Sequence, residues 1–157
     1  MNYRNLAYVS LGLWLATVIV AAVFFIRGQT TPSADGRRAI QLAPAERDLV
    51  LGEMRAMLSS VQGVVQGVQA GDPKQAAAAA RASGMSAAVD LSPGLMAKLP
   101  LDFKNLGMSV HRGFDDLAQT AEKGASGDAL LNALGKQLAA CVGCHASYRL
   151  EAAPAAR

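Results

Sequence analysis

The stretch "LLNALGKQLAACVGCHASYRL", residues 130–150, repeats apolar or chemically special side chains at helical intervals. Leu131, Leu134, Leu138, Cys141, His145 and Tyr148 are spaced 3, 4, 3, 4, 3, which places them on one face of an α-helix. Both cysteines of the chain and one of its two histidines fall inside "CVGCH". Everything else in the reading follows from what that motif is and where it stands.

Upstream, the same rhythm recurs. Val50, Met54, Met57, Val61, Val64 and Val68 mark a helix from Pro44 to about Ala70, and Phe103, Leu106, Val110, Phe114, Leu117 and Ala121 mark another from Pro100–Asp102 to about Lys123. "GDP" at 71–73 closes one helix and opens the next: Gly71 is a stop, Asp72 an N-cap and Pro73 a first-turn residue. That second helix runs through the alanine tract to about Val89. "DLSPGLMAKLP" is a connection with one helical turn after Ser92-Pro93, "GASGD" a second break, and the last helix runs from Asp128 to about Glu151. Four amphipathic helices with short connections predict an all-α domain, an up-down-up-down four-helix bundle over residues 44–151 followed by a tail at 152–157.

Residues Leu6 to Ile26 carry no charge. Twenty-one residues at about 1.5 Å each span roughly 30 Å, the hydrocarbon thickness of a bilayer. A cleaved signal peptide needs a shorter apolar core and a small-x-small site. Here the span runs straight into "FFIRGQ", so residues 1–27 read as an uncleaved anchor in the inner membrane. Arg4 and Arg27 flank the span equally, and charge alone leaves its orientation open. Residues 28–43 mix Gly, Thr, Pro, Ser and charges without periodicity and read as a flexible tether.

From residue 28 onward 13 Lys and Arg stand against 12 Asp and Glu. A near-neutral domain with no basic run beyond Arg37-Arg38 is unsuited to nucleic acid, which demands a clustered cationic face. No phosphate-binding Gly-rich loop, nucleophile elbow or paired-carboxylate spacing occurs, so no enzyme activity is expected.

The motif itself can serve several chemistries. A reactive dithiol places C-x-x-C at a helix N-terminus, where the dipole lowers the thiol pKa; this motif lies near a helix C-terminus. A structural zinc requires four ligands, and only His111 remains as a further histidine. A disulfide three residues apart has little loop to close. C-x-x-C-H is the attachment pattern of c-type haem, in which both thiols bind the porphyrin and the histidine binds iron. One covalent haem c is therefore the expected cofactor. Its attachment occurs outside the cytoplasm, which places everything after Ile26 in the periplasm.

"CVGCHASYRL" in the last helix, the helices before it and "LPLDFKNLG…FDDLA" together resemble class II cytochromes c, the cytochrome c prime superfamily, over residues 44–151. The resemblance implies Cys141 and Cys144 as thioether sites and His145 as proximal ligand. It also implies that the first helix supplies the residue facing His145. In an antiparallel pair Met54 and Met57 both reach that level, and Met54, Met57 or neither binds the iron. Methionine is otherwise a flexible core filler. Phe103 and Leu106, with Met85, are expected to wall the haem. Arg149, one turn beyond His145, lies near the haem or serves as a charge complementing the helix dipole. His111 is expected at the edge of its helix's seam, partly exposed.

Function then divides on the sixth ligand. With methionine bound the protein is an electron carrier, kept near membrane-associated redox proteins by its anchor. With an open position it binds small gases such as nitric oxide or carbon monoxide. A homodimer of bundles is compatible with either.

Overall fold

The computed structural model describes residues 3–88 and 91–153. Val89, the expected end of the second helix, and the last four residues of the tail lie outside the described residues. The chain is mostly helical, and it opens with α1 (Tyr3–Arg27), long and apolar enough to cross a membrane and without a buried residue.

Between α1 and the next helix the expected tether contains two strands, β1 (Thr30–Pro32) and β2 (Arg38–Leu42). They join through a tight turn at Asp35-Gly36, with Gly36 at φ +84°, a conformation that strongly favours glycine. β2 also pairs in parallel with β3 (Tyr148–Ala152), in the register Arg38↔Tyr148 to Leu42↔Ala152. The all-helical expectation is corrected by this three-stranded sheet of order β1-β2-β3. Ala39, Ile40 and Leu42 are fully buried, so the segment is held by packing as well as by backbone pairing.

The main helices begin where the sequence signals place them. α2 (Pro44–Gln69) starts with proline at its first position, and Glu46 accepts the Ala43 N–H at 2.8 Å. α3 (Pro73–Arg81) is capped by Asp72, whose carboxylate accepts the N–H groups of Lys74 and Gln75. It stops well before Val89. Asp115 accepts the Met85 N–H at 2.9 Å and occupies the space that a Cβ at Gly84 would fill, so the chain turns into a short 3-10 segment at Met85–Ala87. Ser92 caps α4 (Pro93–Lys98), α5 covers Leu101–Glu122, and Ser126 caps α6 (Gly127–Ser147). The last helix ends four residues earlier than expected because Tyr148 becomes extended and its backbone joins β2.

α2 packs on α3, α3 on α5 and α5 on α6, while the α6–α2 contact is the least extensive of the four. The α2–α3 pair is close because small residues meet: a Cβ at Gly67 would lie 2.5 Å from the Ala76 nitrogen. Two apolar clusters result. One joins Val64, Ala76, Ala80, Phe114, Leu117, Leu130 and Leu134. The other gathers Ile40, Leu42, Val50, Leu95, Leu99, Phe103 and Tyr148 at the end where α1 arrives. In α5 the expected seam is buried or half-buried throughout. In α6 the deep positions are Leu130 and Leu134, and Leu131 is 42 % exposed, so the seam turns by one residue.

Candidate haem-attachment site

Where α6 leans away from α2, two hollows open side by side. The larger, about 320 Å³, is lined by Leu51, Met54, Met57, Val61, Cys141 and His145 among others. The smaller, about 170 Å³, is lined by Leu51, Met54, Phe103, Cys144, His145 and Arg149, together with Arg37 and Tyr148. Met54 from α2 and His145 from α6 border both. Leu58, on the border of the larger hollow, is 68 % exposed.

Cys141 and Cys144 are half-buried, one facing each hollow. Burial pushes both thiols up, and at Cys144 the neighbouring Cys141 adds to the effect. They are thiols at neutral pH, and lack the lowered pKa on which a dithiol oxidoreductase depends. The His145 side chain is exposed at the rim, with both hollows against it.

The end of α6 is braced by groups from the sheet. Arg37 Nη1 donates to the carbonyls of His145 at 3.2 Å and Tyr148 at 3.4 Å, which would otherwise lack partners at a helix C-terminus. Its Nε and Nη2 donate to Asp35, whose carboxyl these bonds hold well below the usual carboxylate range, with Ser33 assisting. Arg149 reaches the same carboxylate at 3.4 Å and Glu151 at 3.1 Å. Arg149 therefore stands beside the site, on a strand and paired with acids, rather than as a terminal charge of the helix. Tyr148 meets Phe103 edge to face at 5.5 Å, and Arg38 lies over the Tyr148 ring and donates to its hydroxyl.

The expected site residues thus divide. Cys141, Cys144, His145, Met54, Met57, Phe103 and Arg149 converge on the two hollows. Leu106 packs against the cluster beneath with Met54 and lines neither hollow. Met85, in the 3-10 segment, also lines neither and is 37 % exposed. His111 is corrected from a partly exposed flank to a buried residue, 4 % exposed. Its Nδ1 lies 2.9 Å from the Ser83 carbonyl and its Nε2 3.1 Å from Glu53, so both ring nitrogens are engaged away from the cysteines.

Sequence reasoning missed Arg37, Leu51 and Arg55. The Asp35-Gly36 pair, a hairpin signal before the alternating "RAIQL", was the trace that could have located Arg37. Comparison of the chain with family models, curated proteins and solved structures finds no match.

Proposed function

We propose that this chain is a membrane-anchored electron carrier, an up-down-up-down four-helix bundle of α2, α3, α5 and α6 that holds one covalent haem c in the periplasm. The observation that carries this reading is the pairing of Met54 and His145, from two different helices, across hollows that also receive both thiols of CVGCH. Cys141 and Cys144 would hold the group through two thioethers, each formed by net addition of S and H across a vinyl group with nothing released. Haem, when bound, supplies an iron that exchanges one electron.

The chain's own residues supply the rest. His145 and Met54 are the residues that would hold the iron, through an imidazole and a thioether, and such a pair would raise the reduction potential and suit electron transfer. Leu51, Phe103 and Val61 keep water from the apolar faces. Arg55 borders the larger hollow with a guanidinium group suited to a porphyrin carboxylate, while Arg37 and Arg149 at the smaller one are already paired with Asp35 and Glu151. No acid, base or nucleophile needs to act on a substrate, and the partners are membrane-associated redox proteins.

The test is the visible spectrum of the ferrous full-length protein with and without carbon monoxide. Electron transfer with Met54 bound predicts a low-spin spectrum indifferent to the gas, and Met54→Ala converts it to a gas-sensitive high-spin one. A wild-type spectrum that already shifts with carbon monoxide assigns the protein to gas binding. A spectrum unchanged by Met54→Ala removes Met54 from the iron.

A further inference from the structure

The segment between membrane and domain is pinned at every step. Gly28 adopts φ +63°, and a Cβ there would lie 2.5 Å from the Lys98 carbonyl oxygen and the Pro100 nitrogen. The next residue, Gln29, donates its N–H to that same carbonyl at 2.7 Å, and its own carbonyl accepts from Gln41 in β2 at 2.9 Å. Only one residue further on, β1 enters the sheet.

Lys104 makes the second pin. It is 8 % exposed, an unusual position for a lysine, and its Nζ lies 3.6 Å from the centre of the Phe25 ring. The ammonium donates to the carbonyls of Phe25 and Met96, both at 3.2 Å. Phe25 is in the last turn of α1, where carbonyls have no partner within the helix and the dipole favours a cation. Lys104 therefore acts as a C-cap delivered from α5, and burial pushes its amine down. These contacts involve only the end of α1, whose remaining length carries no buried residue and stays free to face lipid.

We infer that the soluble domain is seated rigidly on the end of its own anchor, presenting the Met54–His145 site at the bilayer surface to a redox partner embedded in the same membrane. The lysine pin is the neighbour of Phe103, which lines the smaller hollow. The sheet carries the constraint onward, from Gln29 through β2 to β3, whose first residue stands three after His145. A domain free on a tether would sample many heights and orientations; a seated one meets partners in a fixed pose at the membrane plane. The redox part of this inference rests on the proposed haem function, whereas the seat does not.

The full-length protein in lipid nanodiscs tests the seat through tryptic cleavage of the Arg27–Gly28 bond, which follows the population of the open junction. Wild type is expected to be cut far more slowly than Gly28→Val and Lys104→Met in the same nanodiscs. A difference of about tenfold corresponds to about 1.4 kcal/mol of seat stability. Far-UV circular dichroism monitors folding; if Gly28→Val unfolds, Lys104→Met decides. Equal cleavage of wild type and the folded variants overturns the seat. Placing the haem is a separate measurement. A twelve-residue Gly-Ser insertion after Arg27, reaching roughly 20 Å, should weaken haem quenching of a headgroup dye. Equal quenching overturns the placement, and a protein without haem absorbance instead overturns the haem reading.

Discussion

The two ends of the helical domain are built from different materials. Far from the anchor, alanine and glycine let α2 and α3 approach closely, and Phe114 and Leu117 are buried between the helices, with Phe114 reaching the border of the larger hollow. Near the anchor, Phe103, Tyr148, Arg37 and Arg149 line the smaller hollow, while the larger one runs between α2 and α6 as far as Phe114 and Leu138. A helical domain can leave such a gap only if other contacts hold the separated helices, and the far cluster with the sheet does so. The first end is packed helix on helix, and the second leaves open the hollows in which we propose that the haem sits.

Substitutions that separate those roles test the contrast. Replacing Cys141 and Cys144 together by alanine has the largest effect on the open end: covalent haem on a denaturing gel is lost completely. Unfolding of the haem-free chain by denaturant should shift little, since both thiols are only half-buried. Phe114→Ala acts chiefly on stability, although its ring also borders the larger hollow. Its ring is 1 % exposed, and truncation should cost about 3–5 kcal/mol in denaturant unfolding. Phe103→Ala, at the border of the smaller hollow, should cost less stability than Phe114→Ala and change the haem spectrum instead.

Smaller effects arise in the brace. Arg37→Ala leaves two carbonyls at the end of α6 without their donor and should cost about 1 kcal/mol. Hydrogen exchange is expected to rise at residues 145–150 while Phe114's surroundings stay protected. Acid should act on both ends, since Arg81 also holds the Glu122 carboxyl below its usual range between α3 and α5. Asp35 and Glu46 both have folded pKa values below their usual ones, through Arg37 and Lys98 respectively. Their stabilisation is therefore fully present above the unfolded carboxylate pKa of about 4 and lost as pH falls through the lower folded values. Hydrogen exchange in β1–β2 should accelerate below about pH 4, where the Arg81–Glu122 pair between α3 and α5 weakens as well.

The contrast also marks what a sequence can convey. Helix starts were legible at Pro44, Asp72-Pro73 and Ser92-Pro93, because capping is local chemistry within four residues. The seam of α5 was legible because nearly every position along it is covered. Around α6 the pattern was only partly legible, since periodicity reports which residues are apolar and not whether a partner helix covers them. Leu131 and Leu58 are apolar and bare, and His111 is polar and buried. The sheet was missed because β2 and β3 are over a hundred residues apart, and pairing at that separation leaves no local pattern. CVGCH is the local motif on which the haem proposal rests, yet Arg37, which bonds the His145 carbonyl beside it, comes from the segment read as a tether.

Whether CVGCH carries a covalent haem can be read from the intact mass of the full-length chain. Expressed with haem-maturation enzymes and measured after denaturation, the chain is predicted to gain the mass of one haem. The peptide containing Cys141 to His145 is predicted to carry all of it, and Cys141→Ala with Cys144→Ala to abolish the gain. Full expression with two unmodified, alkylatable thiols would contradict the account.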